Sequence, residues 1–266
     1  NSSSSANARV RGIVGGASAT VNINSCGNIG SVSVASTSDN YYAGGIAGII
    51  QGHHNLDILR CNVNNSVIDQ GYETNSGSSS NTGMMIGFLK IASNVEDSYI
   101  KVLDSNIENC SIKLAGGGLI SNIIGYNYSS GKTNTTVKNV NIKSSPIDVK
   151  GSADIKVGNI FGGIEQSNVL VIDNSDIIDS PIITKSTGSY SEVSAVVGHN
   201  YNNRFEFTNI DIENSTIASG AGVMGLLAAD SYYGSYNSGS VLEGKIENCN
   251  IILRLSNWKF DDHAPV

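Results

Sequence analysis

Short apolar phrases, most of them built on Ile or Val, alternate along the chain with runs of Asn, Ser and Gly. One phrase recurs seven times. Its clearest copies are Asn-Ile-Glu-Asn-Cys-Ser-Ile at 106–112, Asp-Ile-Glu-Asn-Ser-Thr-Ile at 211–217 and Lys-Ile-Glu-Asn-Cys-Asn-Ile at 245–251. Anchoring each copy on its first apolar residue gives Ile23, Val63, Ile107, Ile142, Ile177, Ile212 and Ile246, with steps of 40, 44, 35, 35, 35 and 34 residues. Near-equal steps of this length are the signature of a stacked repeat, in which each unit buries its apolar face only against its neighbours.

Within a unit the apolar positions follow strand periodicity. The position two before the anchor (Val21, Cys61, Ser105, Val140, Ser175, Ile210, Gly244) lies on the anchor's face, because side chains alternate across a strand. A second column five residues after the anchor reads Ile68, Ile112, Ile147, Ile182, Ile217 and Ile251, with Asn28 in the first copy. An odd offset between two inward columns requires a corner between them. The residues two after the anchor, Ser25, Asn65, Asn109, Ser144, Asp179, Asn214 and Asn248, are small and polar. They suit a bend and form a candidate structural ladder from rung to rung.

A further landmark, one or two apolar residues followed by Gly, stands between the anchors at Gly15, Gly48, Gly87, Gly125, Gly162, Gly198 and Gly225. From this Gly to the next anchor the distance varies between 8 and 21 residues, so length variation is confined to one corner. The variable segments, 51–55, 126–136, 201–204 and 230–240, have loop chemistry. The pattern predicts an all-β chain, a right-handed parallel β-helix (β-solenoid) of about seven coils with about 35 residues and three short strands per coil. Its organisation is a polar N-terminal arm at 1–9, the solenoid at 10–256 and a capping tail at 257–266. An antiparallel β-sandwich is the rival fold, but it does not require one residue type in one column at every repeat.

The phrase Tyr42-Ala43-Gly44-Gly45-Ile46-Ala47-Gly48, preceded by Asn24-Ser25-Cys26-Gly27-Asn28-Ile29-Gly30-Ser31-Val32, resembles the GLUG-type repeat. That resemblance implies a β-solenoid stretch of a surface protein or adhesin, outside any catalytic centre. It is good over the first 50 residues and degenerates later, as at Met84-Met85-Ile86-Gly87. The Asn column is similar to the asparagine ladder of pectate-lyase-like β-helices.

Composition narrows the function. A formal net charge of −7 with no basic run argues against affinity for nucleic acid or an anionic membrane surface. The longest apolar stretches, 44–50 and 222–229, fall short of the roughly 20 residues that cross a bilayer as a helix. A chain that starts at Asn1 rather than Met is either a processed protein or an excised fragment; processing of an exported precursor is the simpler reading, so a secreted or cell-surface location is expected.

Candidate chemistry is sparse. The best acid cluster, Asp173, Asp176 and Asp179, falls on solvated rung positions. His53-His54, near Asp57, sits in a variable loop, and Asp261-Asp262-His263 lies in the tail. Neither supplies a complete metal-ligand set. Cys26, Cys110 and Cys249 share a column with Ser66, Ser145, Ser180 and Ser215, and Cys61 stands in another, so mostly free thiols are expected. No phosphate loop, Cys-x-x-Cys or nucleophile elbow occurs. The sequence therefore predicts a non-enzymatic protein with no catalytic, metal or cofactor-binding residue. Its expected use is structural, as the self-assembling subunit of a filament, stalk or coat that partners with itself. The rival is a carbohydrate-binding adhesin that stacks surface glycans on the Tyr-rich segments 126–128 and 231–236; a β-helix polysaccharide lyase or hydrolase ranks third.

Overall fold

A computed structural model describes residues 8–11, 14–17, 21–33, 40–52, 55–69, 79–91, 98–129, 133–151, 153–165, 169–186, 188, 190–201, 204–220, 222–232 and 244–257. His53, His54, Asp261, Asp262 and His263 lie outside them. Among the described residues every regular element is a strand, and every strand pairing is parallel, as in Ile107↔Ile142, Ile142↔Ile177 and Ile177↔Ile212. The chain is a parallel β-solenoid. It contains about five turns spaced about 36 residues apart rather than seven; partial levels at both ends bring the first and second sheets to seven strands each.

One turn illustrates the course. Tyr99–Glu108 and Ser111–Ala115 belong to the third sheet, Gly117–Ser121 to the first and Ile124–Ser129 to the second, after which Asn134–Lys143 starts the next turn. The third sheet has 13 strands and is folded at two corners. Both corners are made by single left-handed residues, a conformation that Asn and Asp tolerate better than most L-residues. Asn65, Asn109, Ser144, Asp179 and Asn214 form one corner, with φ between 48° and 53°. Arg60, Asp104, Asn139, Asn174 and Asn209, five residues earlier in each turn, form the other, with φ between 47° and 54°.

This duplication shifts the register expected at both ends. Each corner is preceded by an apolar residue two places back, so the same short phrase occurs twice per turn. Ile23 pairs with Ile58, not Val63, and Ile246 pairs with Phe207, not Ile212. Ser25 (φ 53°) and Asn248 (φ 51°) are left-handed, as a bend requires, but they stand at the earlier corner, in line with Arg60 and Asn209. Ile251 rests on Ile212, and Leu255 takes the place on Ile217. At the other end Val32, rather than Asn28, pairs with Ile68. Ile68, Ile112, Ile147, Ile182 and Ile217 do stack in one column, each at most 1% exposed. Fully burying each such side chain stabilises the fold by roughly 1.5–3 kcal/mol.

Inside the second of these corners along the chain, the one made by Asn109, Ser144, Asp179 and Asn214, a hydroxyl ladder satisfies the backbone. Cys110, Ser145 and Ser180 donate their N–H groups to Ser145, Ser180 and Ser215 Oγ at 3.3, 3.2 and 3.1 Å. Ser145, Ser180 and Ser215 Oγ in turn donate to the carbonyls two residues back at 2.8, 2.9 and 3.1 Å. Buried amides left by the bend thus acquire partners from the next rung. This role falls to the residue after the left-handed position. The left-handed residues of the first corner bond outside it, Asn139 Nδ2 to Asp104 Oδ1 and Asn174 Nδ2 to Asn139 Oδ1, both at 2.7 Å.

Candidate functional surface

The first and second sheets meet at a two-residue corner, such as Met84-Met85 or Asn122-Ile123, whose side chains are fully buried. The landmark glycines explain how the sheets come so close. A Cβ on Gly87 would stand 2.6 Å from Ala43 O and 2.7 Å from Asn81 O, and one on Gly125 would stand 2.6 Å from Thr82 N. Main chain of one sheet rests on main chain of the other. Gly225 is the exception: it ends a first-sheet strand opposite Ser194, and Ala229 follows in the second sheet.

Just past each landmark Gly the next side chain turns outward, toward the outer face of the first sheet. Ile49, Phe88, Tyr126, Gly163 and His199 form one column. Tyr42, Asn81, Leu119, Lys156 and Glu192 form the column that faces it. Their interleaved side chains close a seam along the solenoid. Tyr42, Phe88 and Tyr126 stack face to face, with centroids 5.0 and 5.3 Å apart and planes within 19°. Burial, with Glu165 adding to it, pushes the Tyr126 phenol far above its ordinary range. At Gly163 the row has no side chain, and Leu119 Cδ2 occupies the place where a Cβ would lie, 2.2 Å from it.

Beyond Gly163 the seam turns polar. Glu192 Oε2 lies 2.5 Å from His199 Nδ1, and Lys156 Nζ lies 3.5 Å from Glu192 Oε1. Glu192 is 9% exposed and His199 8%; Tyr201 lies over the imidazole, 6.1 Å between centroids at 12°. The lysine balances the carboxylate, and the carboxylate orients the ring. The sequence reading missed this cluster, although its signal was present: the residue after each landmark Gly is one aligned column, and Val-Val-Gly-His places an imidazole in it.

The expected sites are dispersed. Asp173 accepts from Lys138 Nζ at 2.8 Å, Thr208 Oγ1 at 2.8 Å and Asn209 Nδ2 at 2.9 Å. These bonds hold its carboxyl down at about 2. Asp176 is raised by burial, then by Asp211 and Glu213, and Asp179 is a left-handed corner residue. Tyr126 and Tyr128 lie within a strand rather than a loop, as do Ser231 and Tyr232; 233–236 are outside the described residues. All four cysteines are free. Among the described residues no three His, Cys, Asp or Glu side chains are grouped to hold a metal ion. Comparison with protein-family models, with curated proteins and with solved structures gives no match.

Proposed function

We propose that the chain is a non-enzymatic structural β-solenoid of the extracellular space or cell surface, the self-associating body of a filament, stalk or coat. The observation that carries this reading is that its side chains engage the next rung. The faces of Tyr42, Phe88 and Tyr126 lie on one another, whereas sugar stacking needs an open face. The exposed amides do the same: Asn106 Nδ2 donates to Asn62 Oδ1 at 2.8 Å and Asn141 Nδ2 to Asn106 Oδ1 at 3.0 Å. A surface organised this way gives cohesion along the axis. The finer reading is a right-handed, GLUG-like solenoid of a surface protein, supported by Gly44-Gly45-Ile46-Ala47-Gly48 falling on the sharp corner between two sheets.

Negative-stain microscopy with light scattering tests the structural role, and glycan-array binding with a reducing-end assay tests its rivals. Rods or polymers, no saturable glycan binding and no new reducing ends are expected. Saturable binding would transfer the reading to a carbohydrate-binding adhesin, and chain cleavage would overturn both.

A further inference from the structure

We infer that Cys26 and Cys61 form a modification site, a thiol pair that a low-molecular-weight disulfide converts into a covalent staple between neighbouring turns. Their alignment follows from the register on both sides: Asn24 pairs with Leu59 and Gly27 with Asn62, a constant offset of 35 residues that sets Cys26 on Cys61. Asn62 N–H bonds Cys26 O at 2.7 Å, fixing the two corners to each other. Adjacent rungs place their Cα atoms roughly 4.8 Å apart, inside the window of about 4.4–6.8 Å that a disulfide accepts. The Cβ atoms need to close by less than about 1 Å to reach disulfide distance.

The other two cysteines act as internal controls. Cys110 has serine neighbours, bonding through its N–H to Ser145 Oγ and lying in line with Ser66. Cys249 stands opposite Ile210. Only the first pair brings thiol to thiol.

The two sulfurs differ in access. Cys61 is fully buried, and burial is the main cause that raises its thiol. Cys26 is half-buried and lines an open depression with Ser25, Gly27, Arg60, Asn62 and Asn64. Arg60 gives that depression a positive charge that suits an anionic reagent such as oxidised glutathione. The Cys26 thiolate attacks one sulfur of the reagent and expels a first glutathione thiolate, leaving a mixed disulfide at Cys26. The Cys61 thiolate then attacks the Cys26 sulfur and expels the second. Two protein thiols are oxidised to one disulfide, the reagent is reduced to two thiols, and the two protons leave with them.

The test uses the full chain, incubated with millimolar oxidised glutathione, then alkylated in denaturant and mapped by mass spectrometry. We expect two of the four thiols to be lost in a single peptide link between Cys26 and Cys61. Cys110→Ser and Cys249→Ser should leave that link intact, and Cys26→Ser should leave all three remaining thiols labelled. Four labelled thiols, a link to Cys110 or Cys249, or glutathione retained on Cys26 without closure would overturn the proposal. So would an equal yield of the same link when the exchange is run in denaturant.

Discussion

At the scale of single residues, the two acids flanking the first corner have opposite environments, and their titration should show it. Asp176 lies in the outward column that reads Asn62, Asn106, Asn141, Asp176 and Asp211. It interrupts the amide ladder and faces a like charge on the next rung. Because its pKa is raised, ionisation costs stability, a penalty present above its folded pKa and absent below the ordinary aspartate value of about 3.9. Asp176→Asn should therefore stabilise the fold at pH 7 by about 0.5–1 kcal/mol, a gain that thermal melts should show disappearing by about pH 3. Asp173 has the reverse sign. Held at about 2, it contributes stability above about pH 4 that is lost as the pH falls from about 4 to about 2. Asp173→Asn should destabilise at pH 7 and have little effect at pH 2. A melting difference that ran the same way for both variants would contradict these assignments.

The hydroxyl ladder sets the second residue-scale test. Ser180 Oγ accepts from Ser145 N–H at 3.2 Å and donates to Ile178 O at 2.9 Å. Ser180→Ala strips a buried amide of its partner, which should cost about 1–3 kcal/mol in denaturant unfolding. Ser180→Cys should cost less, since Cys110 already fills the same column and its thiol bonds Glu108 O at 3.3 Å.

Among the elements, the join between the first and second sheets depends most on residue size. Gly125→Ala would drive a methyl into the main chain of Thr82 on one side and Gly87 on the other, at 2.6 and 2.7 Å. Neither can yield without parting the sheets, so a loss of at least about 3 kcal/mol is expected. Gly27→Ala, whose Cβ meets Asn62 O at 3.5 Å, should be tolerated; comparable melting of the two variants would show that the join is loose. Gly125 and its counterparts at the join were legible in the sequence as a landmark, and so was one left-handed corner, because strand parity forces a break between Ile107 and Ile112. The first corner was not legible as separate. Ile58-Leu59-Arg60 and Val63-Asn64-Asn65 are both an apolar residue two places before a bend, and where the neighbouring copies are weak, at either end, alignment slips from one corner to the other by five residues. The seam escaped notice for a different reason. It is built from outward side chains, and Phe88, Tyr126, Gly163 and His199 share a position but no residue type, so their meeting with the facing column follows only from the folding back of one sheet on the other.

For the whole molecule, stability in a stacked repeat is approximately the sum of each level and its contact with the next, so an uncovered level is the place where association should act. The last described level leaves apolar side chains bare: Ile246 is 55% exposed and Leu226 47%. Both continue interior columns. Ile246 rests on Phe207 below it, which is 1% exposed, and Leu226 follows Ala195 at the corner between the first and second sheets, its carbonyl accepting the Ala195 N–H at 3.1 Å. What covers such residues elsewhere in the solenoid is another level of the same cross-section, and a second copy of the chain offers that cross-section. Under the proposed self-associating role, this face should be one of the contacts. Ile246→Asn combined with Leu226→Ser removes apolar surface that the isolated chain leaves in water, so the fold should lose little, within about 1 kcal/mol. The mass measured by light scattering should nevertheless fall to that of the single chain at concentrations where the unsubstituted protein is larger. An unchanged assembly would place the contact elsewhere, and an unsubstituted protein that stays a single chain at high concentration would end the self-associating reading.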